Sequence, residues 1–211
     1  MVLDSHRSKV DFIMDPVAKA MIKVHPNYIS FMAIILAAVA GVMLYFSFDQ
    51  WILLPISAMV VLVSGFLDGL DGKVARLAGI ADRRGDFLDH VLDRYADMLM
   101  IGGVAVSSWC SPYLGMMALI GVLLTSYMGT QAQAVGAKRM YAGLLGRADR
   151  IVLSFLTPLV QMVMVLLGHP SLELLGIEFN AFEVMMLWFA VVGNLTALQR
   201  AVLTYDWLRK A

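Results

Sequence analysis

Charge is what this sequence has least of. Only 15% of its 211 residues are Asp, Glu, Lys or Arg, against 60% hydrophobic residues and a mean hydropathy of +0.77. Such a balance excludes an ordinary soluble domain and makes the bilayer the expected solvent. Cysteine is almost missing: Cys110 stands alone, so no internal disulfide can form. Neither an internal repeat nor a soluble second domain is visible. Residues 1–15 carry Asp4, His6, Arg7, Lys9 and Asp11 before any long apolar run. That order is unlike a cleaved signal peptide, so the segment is expected to stay in the mature protein. A formal net charge of +0 leaves the placement of charge, not its sum, as the informative quantity.

Six apolar stretches approach the length needed to cross about 30 Å of hydrocarbon. They begin near Tyr28, Trp51, Arg84, Pro112, Ile151 and Phe182, and Pro112, Pro158 and Pro170 mark turns or kinks. The expected fold is therefore an all-α integral membrane protein with six transmembrane helices. All 16 Lys and Arg fall at one side of that map. The loops around Phe48–Gln50, Ser107–Ser111 and Gly168–Asn180 contain none. By the positive-inside rule both termini are expected in the cytoplasm, in a multi-pass protein of the cell membrane. Ahead of the first span, Val10, Ile13, Met14, Val17, Met21 and Val24 recur at helical steps, with Asp15-Pro16 as a cap and first helical residue. An amphipathic helix lying in the interface, with Lys19 and Lys23 toward headgroups, is one expectation. A surface helix packed on the spans is the other. The chain then divides into an N-terminal segment, 1–25, and a membrane domain, 26–211.

The chemistry concentrates between Ser64 and Met100. Asp68 and Asp71 are three apart and Asp89 and Asp93 four apart, so each pair projects from one helix face at the mouth of a span. Carboxylates at that depth are costly, and four together repel unless a cation offsets them. Hard divalent ions such as Mg²⁺ prefer oxygen donors and substrate phosphates, and a two-metal site suits phosphoryl chemistry. Gly69, Gly72, Ala75 and Gly85 leave room for a phosphate or nucleotide, and Arg76 could hold one through its fork of donors. Asp97 reads as a partner of Arg94, and His90 as a structural residue pointing away.

The run Asp68-Gly69-Leu70-Asp71-Gly72-Lys73-Val74-Ala75-Arg76, followed at fixed intervals by Gly85, Asp89 and Asp93, resembles the signature of the CDP-alcohol phosphotransferases. The resemblance implies an enzyme with two divalent ions, Mg²⁺ or Mn²⁺, on Asp68, Asp71, Asp89 and Asp93. It makes Asp93 also the general base, and gives Gly72 and Arg76 contacts to the CDP group of a CDP-linked lipid. It extends the nucleotide pocket to Pro26, Asn27, Tyr28, Ala75, Asp82 and Gly85, and it suggests a homodimer. Membrane lipids are the surroundings, and no nucleic-acid partner is expected.

A second basic group bears on the acceptor. Arg200 lies inside the last span, where a guanidinium calls for a carboxylate or an anionic ligand. With Lys138, Arg139, Arg147 and Arg150 it would suit an acceptor that carries a phosphate. Thr125 to Gly136 and Gly146-Arg147-Ala148-Asp149-Arg150 resemble the archaetidylinositol phosphate and phosphatidylinositol phosphate synthases. That resemblance implies transfer of a phosphatidyl-type, here archaetidyl, group to inositol 1-phosphate with release of CMP, and makes Arg147 and Arg200 the phosphate contacts. Arg150 is read as a helper, and Lys138 as a substitute for the lysine that relatives carry where this chain has Gly129. Glycerol 3-phosphate as acceptor remains an alternative. A cation transporter is a distant one, since the chain shows no repeat and its carboxylates gather at one face.

Overall fold

In a lipid solvent a helix satisfies its backbone polar groups within itself, which leaves long apolar runs few other options. The computed structural model describes residues 7–138, 140–174 and 176–210. Seven helices form among these residues: α1 Arg7–Ala20, α2 Pro26–Phe46, α3 Leu53–Leu77, α4 Arg83–Ala105, α5 Pro112–Ala134, α6 Arg147–Leu166 and α7 Ala181–Lys210. Helices α2 to α7 correspond to the six expected spans. Five of them, all but α4, are long and apolar enough to cross a membrane. Helix α4 has 23 residues, about 35 Å at 1.5 Å per residue, but its first half is charged. A short antiparallel hairpin, β1 Leu172–Leu174 with β2 Ile177–Phe179, fills part of the last loop and has no counterpart in the sequence expectation.

Helix α3 runs unbroken through the Asp68–Arg76 motif, and α7 continues to Lys210. Helix α6 starts at Arg147 rather than near Ile151, because Asp149 Oδ2 accepts from the Gly146 N–H at 2.8 Å and closes the helix start. Arg147 and Arg150 are therefore helical, one turn apart.

The helices approach closely where side chains are missing. A Cβ on Gly103 would overlap the carbonyl of Gly41, so α2 and α4 cross at these two residues. Gly121 and Gly193 serve the α5–α7 crossing, and Gly115 meets Ala105 between α5 and α4. Gly65 packs under Ile151 where α3 meets α6. Without a strong hydrophobic drive between helices in lipid, such close backbone contact supplies much of the association.

The two ends of the bundle differ. At the end made by residues 47–52, 106–111 and 167–180, neutral hydrogen bonds join all three loops. Trp109 Nε1 donates to Ser47 Oγ at 2.8 Å, Asn180 Nδ2 to the Trp109 carbonyl at 2.9 Å, and buried Gln161 Nε2 to the Pro170 carbonyl at 2.7 Å. Gln161 Oε1 also accepts from the Ala181 N–H at 2.9 Å. Cys110 is buried here, and burial pushes its thiol up to about 11. The opposite end carries the Lys and Arg residues and the Asp68, Asp89 and Asp93 carboxylates.

Helix α1 corrects one expectation. Pro16 lies inside it, not at its first turn, and Asp15 does not act as a cap: its carboxylate pairs with Lys73 Nζ of α3 at 2.5 Å. An interior proline costs about 3 kcal/mol. Packing offsets it, because Met14 and Ala18 are buried against Leu70 and Val74 with Val17 and Met21 beside them. Phe12 and Ile13 stay exposed, so the helix has an apolar face free for headgroups and another committed to α3.

Candidate active site

Of the four aspartates expected to share one space, Asp68 on α3 and Asp89 and Asp93 on α4 converge. One carboxylate oxygen from each lies within 4.8 Å of the others. Around an ion with bonds of about 2.1 Å, oxygens on opposite sides stand about 4.2 Å apart, so small side-chain movements would bring all three onto one divalent cation. All-oxygen donors at a helix end also fit the hard ions expected. Asp71 is 4% exposed and lies outside that trio: Ser30 Oγ of α2 donates to its Oδ2, and the Gly72 N–H to its Oδ1 at 2.5 Å. Sequence reasoning missed Ser30, because nothing local marks a serine 41 residues away as a partner.

Arg147 enters the same cluster. Its Nη2 pairs with Asp68 Oδ1 and its Nη1 with Asp93 Oδ1, so one guanidinium bridges α3, α4 and α6. Next to it, Arg94 Nη2 donates to Asp93 Oδ2 at 3.3 Å. A narrow cleft beside these groups is lined by Ser30, Ser64, Asp68, Asp97, Arg147 and Ile151, among others.

The remaining site candidates fall into place as follows. Pro26 is buried at the first turn of α2, Asn27 half-buried, and Tyr28 exposed with its ring edge toward His25. Arg76 is exposed and its Nη1 would lie 3.3 Å from a Cβ on Gly72, so the absence of a side chain lets Arg76 fold across that glycine. Ala75 is half-buried beside it. Asp82 caps α4, its Oδ1 accepting from the Gly85 N–H at 2.7 Å. Gly69 does not offer open room, since Met14 of α1 lies against it. His90 faces the site rather than away from it, with Nδ1 at 3.6 Å from Asp89 Oδ2.

The acceptor candidates separate. Arg200 is 4% exposed, and its Nη1 donates to the Thr125 carbonyl at 2.6 Å and its Nε to the Ala142 carbonyl at 2.8 Å. It thus ties α7 to α5 and to the loop before α6, where Gly129 leaves it space. Arg150 is buried with Asp97, which takes Arg150 as its nearer partner, at 2.8 Å, and Arg94 at 3.9 Å. Lys138 is exposed in the connection between α5 and α6, and Arg139 lies outside the described residues.

Fold and site together define a helical membrane protein that presents acidic residues able to hold divalent ions at one end of the bundle. Residues 23–203 match the CDP-alcohol phosphatidyltransferase family, and the chain belongs to it. It is 26% identical to the archaetidylinositol phosphate synthase of Pyrococcus horikoshii over 94% of both chains. It is 28% identical to that of Methanothermobacter thermautotrophicus over 99% of this chain and 95% of the relative. The phosphatidylinositol phosphate synthase of Cutibacterium acnes shares 27% identity over 95% and 96%. Among solved structures, a phosphatidylinositol phosphate synthase of Mycobacterium tuberculosis with CDP-DAG bound superposes with a TM-score of 0.71. That match covers 92% of this chain and 94% of the other at 23% identity, and it establishes the shared fold.

Proposed function

We propose that this chain transfers a phosphatidyl-type group, archaetidyl in the first instance, from a CDP-linked lipid to inositol 1-phosphate and releases CMP. The observation that carries the reading is the convergence of Asp68, Asp89 and Asp93 with Arg147 at one end of a membrane bundle. Inositol phosphate is preferred over glycerol 3-phosphate because relatives matched over nearly their whole length are named as synthases of inositol phosphate lipids.

In this reading Asp68, Asp71, Asp89 and Asp93 hold two divalent ions, Mg²⁺ or Mn²⁺, which supply charge neutralisation at the pyrophosphate and the leaving CMP. Gly72 and Arg76, with Pro26, Asn27, Tyr28, Ala75, Asp82 and Gly85 at the edges, line the place of the CDP group. Asp93 takes the proton of the acceptor hydroxyl. The hydroxyl oxygen then forms a bond to the lipid-side phosphorus as the bond from that phosphorus to the CMP oxygen breaks. Arg147 orients the acceptor phosphate, with Arg200 and Lys138 closing the far side. Burial of the carboxylates at the membrane face limits competition by water. The Lys- and Arg-bearing end faces the cytoplasm, in a homodimer in the cell membrane.

The test is CMP release by the purified protein with a CDP-lipid, comparing inositol 1-phosphate, glycerol 3-phosphate, free inositol and serine. Release should require inositol 1-phosphate, vanish with EDTA and return with Mg²⁺ or Mn²⁺. Release with glycerol 3-phosphate alone would replace the acceptor, and release undiminished by EDTA would remove the metals.

A further inference from the structure

Sequence resemblance puts Arg150 beside the acceptor phosphate, but its side chain is committed elsewhere. Arg150 and Asp97 are each 3% exposed. Arg150 Nη2 lies 2.8 Å from Asp97 Oδ2, and Nη1 donates to Ser126 Oγ at 3.2 Å. One guanidinium therefore joins α6, α4 and α5. One turn nearer the charged end, the same two helices present Arg147 and Asp93, which are themselves paired. Helix α6 packs chiefly on α3 and α7, so the space between α4 and α6 is crossed by these long side chains.

The two rungs differ in freedom. The inner charges are out of water, and neither can leave without stranding the other. The outer arginine has a side chain 28% exposed, so it can exchange a carboxylate for another anion. We infer that Asp97, Arg150 and Ser126 form a positioning rung that fixes the start of α6 against α4 and α5. The rung thereby sets Arg147 within reach of both the site carboxylates and a phosphate on the acceptor. Arg150 is then a positioning residue and not a phosphate contact. The inference rests on the proposed phosphotransfer and assigns parts within it.

The test replaces the rung by apolar side chains of similar size, Asp97→Leu with Arg150→Met, because such an exchange can keep buried helices packed. Wild type, the double variant and Asp97→Glu with Arg150→Lys are compared for Tm, for kcat and KM toward each substrate, and for inositol 1-phosphate binding by calorimetry. The apolar double variant should keep its Tm, bind CDP-lipid as wild type does, and lose about 10- to 100-fold in kcat/KM for the phosphorylated acceptor, as for lost supporting contacts elsewhere. The charged pair should recover part of that loss. An apolar variant that keeps both its Tm and its acceptor kinetics would mean that the rung serves the fold alone, and would overturn the inference. Should that variant fail to fold, Ser126→Ala decides, since it leaves both charges paired: acceptor KM should rise, and an unchanged KM overturns the inference. A wild type that releases no CMP with any acceptor overturns the phosphotransfer reading, and the inference with it.

Discussion

Arg147 sits where two demands meet. It pairs with Asp68 and Asp93, two of the carboxylates that a divalent ion would also use, so the two cations compete for the same side chains. Arg147→Gln should therefore tighten Mn²⁺ binding to the substrate-free protein in calorimetry while raising KM for a phosphorylated acceptor. Unchanged Mn²⁺ affinity would show that the contact does not oppose the ion. Asp93→Asn should reduce CMP release to background and leave CDP-lipid binding in place. Normal turnover in that variant would remove Asp93 as the base. Arg200 carries a structural duty as well. Arg200→Gln takes donors from the Thr125 and Ala142 carbonyls, and losing a buried partner costs about 1–3 kcal/mol. A lowered Tm should accompany any rise in acceptor KM.

Among the elements, adjacent glycines on α4 give a direct comparison. Gly103→Ala sets a methyl group into the backbone of Gly41 and should sharply lower Tm, whereas a Cβ on Gly102 meets nothing within 4 Å. Gly102→Ala should leave Tm unchanged or raise it, in keeping with helix propensity. The sequence shows Gly102-Gly103 as a pair of small residues and cannot say which one faces a partner, since that depends on how α4 is rotated against α2. The same limit explains most of what the sequence left open. Span positions were legible because apolar runs and charged borders are local properties. The pairing of Asp89 with Asp93 was legible because a spacing of four puts both on one helix face, whereas Asp71, three from Asp68, lies outside the trio. Pairings between helices were not: Ser30 with Asp71, Arg150 with Asp97, and Met14 over Gly69 each require the register of one helix against another. The internal Pro16 of α1 was read as a helix start because its cost is local, while the packing that offsets it is not.

For the whole molecule, orientation is open to direct measurement. Burial keeps Cys110 protonated and shielded, so it should contribute little background to thiol labelling. A single cysteine placed at Gly79 should react with an impermeant maleimide only from the cytoplasmic side, and one at Asp49 only from the outside. The reverse pattern would invert the bundle and place the carboxylate cluster outside the cell.

The contrast between the two ends of the bundle has a mechanical consequence. The Ser47, Trp109, Asn180 and Gln161 bonds clamp three loops with neutral groups. At the other end Arg147, partly exposed, can exchange its carboxylate partners for another anion. A bundle built this way would behave as a set of levers on a fixed pivot. A tilt of about 5° over a helix of about 30 Å moves its free end by about 2.6 Å, close to one hydrogen-bond length. Motion of that size would fall at the carboxylate end and leave the clamped end in place.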